Sequence, residues 1–116
     1  PSDEEYTILT DYLGGESVAG GKMKSTGTVE GGDGLWASPN EGATNESGFT
    51  ALPGGCRSGR SGNFSHIGNR SYFWSSSELN ETTAWARRLF YDQSSIALPT
   101  GGITKISGYS IRCVAD

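Results

Sequence analysis

Residues 48–57 of the chain read Gly48-Phe49-Thr50-Ala51-Leu52-Pro53-Gly54-Gly55-Cys56-Arg57. Apolar and polar side chains alternate at the start of this string, which predicts a short strand-like piece, and the proline and two glycines then predict a turn. We interpret the string as architecture, with Phe49 and Leu52 in the core and Arg57 held as a fixed guanidinium by loop carbonyls. The alternative is that the string contacts a ligand.

A helix is predicted ahead of this string, at the beginning of the chain. Ser2 is a good N-cap and Glu5 follows three residues later, which is the capping-box arrangement. Tyr6, Leu9 and Leu13 recur with helical spacing, and Ile8 and Tyr12 widen the apolar stripe. Gly14-Gly15 ends the helix. The residues that follow, Val18–Lys24, predict a turn that leads into a short extended piece.

The second half of the chain predicts several strands with loops between them. β-branched and aromatic residues, alternation, and flanking turn residues are the signals used. The predicted strands are Tyr72–Ser76, Ala84–Tyr91, its partner Ile96–Leu98, and Tyr109–Val114. Residues 25–47 are predicted to be mostly loop, because glycines and Pro39 interrupt every apolar run.

The composition at first suggests disorder and then argues against it. Glycine alone supplies 18 of 116 residues, and glycine, serine and proline together make up about a third of the chain. Against this, the net charge is only −4 and aromatic residues, including three Trp, make up 10% of the chain. Aromatic side chains bury a large area each, so a few of them supply a core. We therefore predict a single ordered α+β domain over residues 1–116.

Composition and charge also exclude several classes of function. No apolar run approaches the roughly 18 residues that a membrane span needs. Nine basic residues against thirteen acidic ones, without a basic cluster, argue against nucleic acid as a partner. One His and two Cys are too few for a zinc site of the usual spacing.

Five strings, in order over nearly the whole chain, resemble the Fibrobacter succinogenes major paralogous domain family. They are Leu13-Gly14-Gly15, Ala19–Lys24, Asn45–Arg57, Phe73-Trp74-Ser75-Ser76-Ser77-Glu78, and Lys105 with Gly108–Val114. The resemblance implies a C-type-lectin-like fold, shared with formylglycine-generating enzymes, with one N-terminal amphipathic helix, a small antiparallel sheet and long ordered loops. It also implies a secreted or cell-surface bacterial protein, and no firmly assigned activity.

The chain departs from the family pattern in two ways that affect its cysteines. Family members usually carry a segment before the helix with a Cys-Pro-Ser-Gly-Trp-like string, so we expect this chain to be the C-terminal part of a longer domain or protein. Cys56 stands where the family usually has Tyr. In the family, the usual partner of the cysteine in the terminal Arg-Cys-Val string lies in that segment, so Cys113 is either free or paired with Cys56. Such a bridge would contribute about 3–4 kcal/mol in the chain-entropy model.

The best candidate for a ligand surface is the string around Trp74. Aromatic rings stack on sugar faces, and Ser, Glu and Asn side chains bond sugar hydroxyls, which is the usual make-up of a polar ligand site. The predicted binding residues are Trp74, Ser76, Glu78, Asn80 and Trp85. The alternative is that both tryptophans fill the core.

Calcium is the cofactor to consider for a C-type-lectin-like fold, and it needs six to eight oxygen ligands. The lectin-type Glu-Pro-Asn, Gln-Pro-Asp and Trp-Asn-Asp strings are absent. Weak candidates around the long loop are Asp33, Asn40, Glu41, Asn45 and Glu46. We therefore expect no cofactor, and calcium is the alternative.

The sequence does not indicate an enzyme. His66 could pair with Cys56 and Asp92, but nothing local marks a nucleophile as activated, and a single His is too few for the related iron enzymes. Four of the five asparagines begin an Asn-x-Ser/Thr triplet and are the possible glycosylation positions. They are Asn45, Asn63, Asn69 and Asn80.

We therefore expect a non-catalytic extracellular or cell-surface module for recognition or adhesion, with a glycan or a surface protein as its partner. The competing expectation is a structural subunit of a bacterial surface filament or envelope protein that assembles through its own copies. Discovery of an exposed tryptophan groove would favour the first, and a sheet edge filled by another subunit would favour the second.

Overall fold

A computed structural model describes residues 1–115, which form two helices and two small antiparallel sheets. The predicted α+β class is confirmed. The helices are α1 (Asp3–Tyr12) and α2 (Glu16–Met23). The strands are β1 (Cys56–Arg57), β2 (Phe64–Ser65), β3 (Arg70–Glu78), β4 (Thr83–Phe90), β5 (Ile96–Ala97) and β6 (Ile103–Thr104).

Helix α1 begins as predicted. The Ser2 side chain accepts from the Glu5 N–H, and the Glu5 carboxylate accepts from the Ser2 N–H at 2.7 Å, which completes the capping box. Tyr6 is buried in the core, but Ile8 and Tyr12 are 61% and 85% exposed. The apolar stripe is therefore narrower than predicted.

Helix α2 corrects the prediction of a turn and an extended piece at Val18–Lys24. Glycine disfavours helix formation by about 1 kcal/mol relative to alanine, yet Gly20 and Gly21 lie inside this helix and are buried. Their missing side chains explain the exception. A Cβ at Gly20 would collide with the Ser95 carbonyl, and one at Gly21 would collide with the backbone of Gly42. Tertiary packing therefore selects a helix where local propensity does not.

The larger sheet is built on the antiparallel pair β3–β4. Arg70 pairs with Phe90 and Trp74 with Ala86, and the register shifts between Trp74 and Glu78. Strands β5 and β6 both pair with β4, so β4 is central. The strand predictions at Tyr72–Ser76, Ala84–Tyr91 and Ile96–Leu98 are confirmed to within a few residues.

Two predicted strands are not present. Thr50 has a φ of 55°, which breaks the extended conformation of residues 49–52, and only Ala51 forms a bridge, with Lys24. In the predicted strand Tyr109–Val114, Ser110 alone bridges β3, at Phe73. Alternation indicated these strands, but neither piece has a neighbour along its length.

The core lies between the two helices and the inner face of the larger sheet. Its largest members are aromatic or long apolar side chains, as the composition indicates: Trp36, Tyr6, Met23, Leu89 and Phe73. Phe49 packs against this core from its edge. Leu52 is 49% exposed, so its predicted core position is wrong.

Arg57 also differs from its prediction. Its side chain is exposed, and its backbone makes the hydrogen bonds, with the Gly108 N–H and carbonyl at 2.9 Å each. The buried cation that loop carbonyls hold is Lys24. Its ammonium group donates to the carbonyls of Glu41, Phe90 and Gln93 at 2.8 to 3.0 Å.

Candidate functional site

The outer face of β3 carries an aromatic stack made of Tyr72, Tyr109 and Trp74. The ring centroid of Tyr109 lies 4.7 Å from that of Tyr72 and 4.7 Å from that of Trp74. Alternation along β3 puts residues 72 and 74 on one face, and Tyr109 reaches them because Ser110 is hydrogen-bonded to β3. Burial raises the pKa of Tyr109, so its phenol is neutral at physiological pH. The stack is a fixed aromatic surface with Trp74 at one end.

Trp74 borders a shallow hollow of about 260 Å³, which we call the Trp74 depression. Its lining includes Ser76, Glu78 and Lys105. The Lys105 ammonium lies 2.8 Å from the Glu78 carboxylate and donates to the Glu81 carbonyl at 2.9 Å. The depression therefore combines one half-buried aromatic ring with a hydroxyl, a carboxylate and an ammonium group.

Three of the five predicted binding residues, Trp74, Ser76 and Glu78, come together here. Trp85 does not join them, because Ala86 pairs with Trp74 and its neighbour Trp85 alternates to the opposite face of the sheet. Asn80 does not join them either. Its side-chain oxygen accepts from the N–H groups of Thr82 and Thr83 at 3.0 Å each, so it stabilises the β3–β4 turn.

Lys105 is the residue of this site that sequence reasoning missed. It follows β6, and the sequence alone gives it no role beyond its place in the family strings. The pairing of β6 with β4 through Thr83 and Thr104 brings Lys105 beside the end of β3.

The calcium candidates do not gather around a common centre. The Asn40 side chain donates to the carbonyls of Ser25 and Gly27 at 3.0 and 2.8 Å, and Asp33 accepts from the Thr28 N–H at 2.9 Å. Glu41 is exposed, and its carbonyl is one of the Lys24 acceptors.

The remaining two candidates are engaged elsewhere. Asn45 exchanges hydrogen bonds with Thr50 at 2.8 and 2.9 Å, and Glu46 lies 3.5 Å from the Lys22 ammonium. Within residues 1–115, no three His, Cys, Asp or Glu side chains lie close enough together to hold a metal ion.

The two cysteines are not joined to each other. Cys56 is half-buried, with its Sγ 3.6 Å from the Ser65 hydroxyl, and Cys113 is exposed near the end of the chain. The bridge considered for Cys56 and Cys113 is therefore absent from this structure. His66 makes no hydrogen bond to Cys56 or Asp92 within the described part of the chain.

The four asparagines that begin Asn-x-Ser/Thr triplets fall into two pairs. The side chains of Asn45 and Asn80 are used in local hydrogen bonds. Those of Asn63 and Asn69 are exposed and make no hydrogen bonds to residues 1–115. Asn80 is exposed too, and only its side-chain oxygen is bonded, so Asn63, Asn69 and Asn80 are the positions whose amide nitrogens are accessible for a glycan.

Lys24 is fully buried and serves the fold. Burial lowers its pKa to about 8, and nearby Glu41 and Asp92 oppose that shift. With three carbonyls as acceptors, the ammonium form is retained at neutral pH. The residue joins the loop at Glu41 to the end of β4 at Phe90 and to the following turn at Gln93.

The described helices are both too short and too polar to cross a membrane. No match was found among curated proteins or solved structures, so the C-type-lectin-like fold stays a prediction. A family model, described as the Fibrobacter succinogenes major domain, matches residues 1–115. That match covers almost the whole chain, including the strings around Trp74 and the segment that holds Tyr109. The chain belongs to the Fibrobacter succinogenes major domain family.

Proposed function

We propose that this chain is a non-catalytic recognition or adhesion module of an extracellular or cell-surface protein, and that it binds glycans at the Trp74 depression. One observation carries the proposal. The ring of Trp74, packed against Tyr109 at 4.7 Å, borders a hollow that also holds Glu78 and Lys105 at 2.8 Å from each other.

This combination suits a sugar ring. The apolar face of a pyranose packs on an aromatic ring, and its hydroxyl groups both donate and accept hydrogen bonds. Glu78 supplies acceptors, Lys105 supplies donors, and the Ser76 hydroxyl supplies both. Because Tyr109 supports the ring of Trp74 from one side, little side-chain entropy is lost when a sugar packs against the other side.

The test is a glycan array followed by a matched pair of variants. We expect the chain to bind at least one class of glycan on the array. We expect Trp74→Ala to weaken that binding at least about tenfold, or about 1.4 kcal/mol. Trp85→Ala, on the other face of the sheet, leaves the affinity unchanged. Near-ultraviolet circular dichroism confirms that both variants are folded. An array without a single retained glycan, together with concentration-dependent polymerisation of the chain, would sink this proposal.

The non-catalytic part of the proposal has its own measurement. Its support is that His66, Cys56 and Asp92 are not linked by hydrogen bonds in the described residues, so no side chain there is activated as a nucleophile in the usual way. A retained glycan should be recovered from the protein with its mass unchanged. Cleavage or modification of that glycan would contradict the assignment.

Assembly through copies of the chain is the second candidate function, and a different surface favours it. Four exposed apolar side chains and Pro53 line a hollow of about 420 Å³. The four are Val29, Leu35, Leu52 and Ile67. Contiguous apolar surface of this kind is typical of protein–protein contacts. The test is light scattering against concentration: Ile67→Ser abolishes any oligomer if this surface forms the contact, and leaves glycan binding intact.

A further inference from the structure

The last residues of the described chain leave the sheet and run exposed beside an open groove. Ser110 is the final residue bonded to β3, accepting from the Trp74 N–H at 3.0 Å and donating to the Tyr72 carbonyl at 2.9 Å. From Ile111 to Ala115, no main-chain group makes a hydrogen bond within residues 1–115. We call residues 111–115 the terminal segment.

A hollow lies on either side of the terminal segment, and together they form what we call the terminal groove. The hollow toward α1 measures about 450 Å³ and is lined by Tyr6, Leu9, Phe49 and Val114 among others. The hollow toward β3 measures about 590 Å³. Both volumes lie in the range of about 300–1,000 Å³ that is typical of ligand sites.

The terminal groove contains a buried polar group without a partner. Tyr6 is 1% exposed and lines the hollow toward α1, yet its hydroxyl makes no hydrogen bond within the described residues. A buried hydroxyl left unpaired is unfavourable, and such groups are usually satisfied. An acceptor that enters the hollow would satisfy it.

The terminal groove also carries an unmatched positive charge. The guanidinium of Arg112 lies over the Phe49 ring, 5.1 Å from its centre, and makes no ion pair within residues 1–115. Glu5 lines the same hollow, but its carboxylate already accepts from the Ser2 N–H at 2.7 Å. The charge on Arg112 is therefore available to an incoming carboxylate.

We propose that the terminal groove binds an extended peptide in which apolar and acidic side chains alternate. The peptide pairs its main chain with the terminal segment, packs apolar side chains against Leu9 and Phe49, and places a carboxylate at Arg112 and the Tyr6 hydroxyl. A peptide fits better than a small carboxylate, because a second main chain can replace water along several of the five exposed main-chain units at once. Trp74 and Ser76 also line the hollow toward β3, so the terminal groove adjoins the Trp74 depression. The two proposals are tested separately, because glycan binding at the depression needs neither Tyr6 nor Arg112.

The test uses the chain of residues 1–116 and two synthetic peptides of equal length, one alternating valine with glutamate and one alternating valine with lysine. With the glutamate peptide at saturation, amide hydrogen exchange at residues 111–115 slows at least about tenfold, and the lysine peptide leaves it unchanged. A short aromatic carboxylate, benzoate, is the third probe and gives no slowing.

Two variants separate recognition from stability. Tyr6→Phe removes the unpartnered hydroxyl, so the free protein is as stable as before or more stable, while affinity for the glutamate peptide falls about tenfold, equivalent to about 1.4 kcal/mol. Arg112→Gln lowers the affinity for the glutamate peptide by a similar factor. Arg60→Gln, at an exposed arginine elsewhere, leaves that affinity unchanged. The proposal is overturned if no peptide slows exchange, if the lysine peptide acts equally, if benzoate alone reproduces the protection, or if Tyr6→Phe binds as well as the natural chain.

Discussion

Single residues fix much of this fold by satisfying the polar groups of its loops. Lys24 is fully buried, and its three hydrogen bonds connect the carbonyl of Glu41 with those of Phe90 and Gln93, which lie in a distant part of the sequence. Its ammonium also lies 5.4 Å from the centre of the Trp36 ring. One cation therefore joins the loop at Glu41 to the end of β4 and to the turn that follows it.

Substitution of this lysine tests that role. Lys24→Met keeps the length and apolar stem but leaves three buried carbonyls without a donor, and each such loss costs about 1–3 kcal/mol. We expect the free energy of unfolding in urea to fall by about 3 kcal/mol or more. Lys22→Met is the matched control, because Lys22 is partly exposed and its ion pair with Glu46 is on the surface. Such a pair is worth about 1 kcal/mol or less, and equal losses in the two variants would contradict the role given to Lys24.

At the scale of elements, the packing of α2 explains its glycine pair. The Gly21 N–H donates to the Ser94 carbonyl at 2.8 Å, so the loop before β5 lies directly on the helix backbone. Helix α1 has no such glycines and begins instead with a capping box. The two helices are thus specified differently, one by local signals and the other by contact with a distant loop.

Gly20→Ala separates helix propensity from packing. Propensity alone predicts a gain of about 1 kcal/mol, but the new Cβ would meet the Ser95 carbonyl, and overpacking typically costs about 1–3 kcal/mol. We expect a lower melting temperature. Ser17→Ala, on the exposed side of the same helix, is the control and should be neutral or slightly stabilising. A higher melting temperature for Gly20→Ala would mean that α2 does not contact this loop closely.

For the whole molecule, Arg87 fastens α1 to the sheet. It is 3% exposed on β4, and its guanidinium donates to the Asp3 carboxylate at 2.5 Å, to the Asp3 carbonyl at 3.1 Å and to the Thr7 hydroxyl at 3.2 Å. The same group lies over the Tyr6 ring, 5.5 Å from its centre. Helix and sheet therefore meet through one buried cation as well as through apolar contact.

Arg87→Met should unfold the protein more readily, because loss of one partner leaves Asp3 unpaired and partly buried. We expect a loss of about 3 kcal/mol, the lower end of what a broken buried pair costs. Arg88→Met is the neighbouring control: Arg88 faces the other side, over Tyr72, where its contribution is about 1 kcal/mol. If the free energy of unfolding in urea falls by the same amount in both variants, Arg87 does not hold α1 to the sheet as described.

How much of this molecule the sequence predicts depends on whether the signal is local. The capping box at Ser2 and Glu5 and the aromatic run at Tyr72–Ser76 act within their own elements, and both predictions are confirmed. Helix α2 is not predictable locally, because its two glycines are explained only by the backbones of Ser95 and Gly42 that pack against them. The strand expected at Tyr109–Val114 alternates correctly but has no neighbour to pair with beyond Ser110.

The candidate site divides in the same way. Trp74, Ser76 and Glu78 are close in sequence and lie on one depression, because they belong to one strand. Trp85 was excluded by the alternation of β4 and Asn80 by its hydrogen bonds in the turn. The positions of Trp85 and Asn80 outside the depression cannot be predicted until the pairing register of β3 and β4 is known. Lys105 enters only through the pairing of β6 with β4.

The link between Asp3 and Arg87 also bears on how the chain acquires its structure. The two residues are separated by 84 positions, and a second link, from the Asp3 N–H to the Ser77 hydroxyl, spans 74. Strands β3 and β4, in contrast, are joined by a four-residue connection and form from local sequence. Contacts between distant residues slow folding, because the chain loses the entropy of closing a long loop before those contacts contribute favourable free energy. During synthesis, the first helix therefore lacks this partner until the segment between Asp3 and Arg87 has been made.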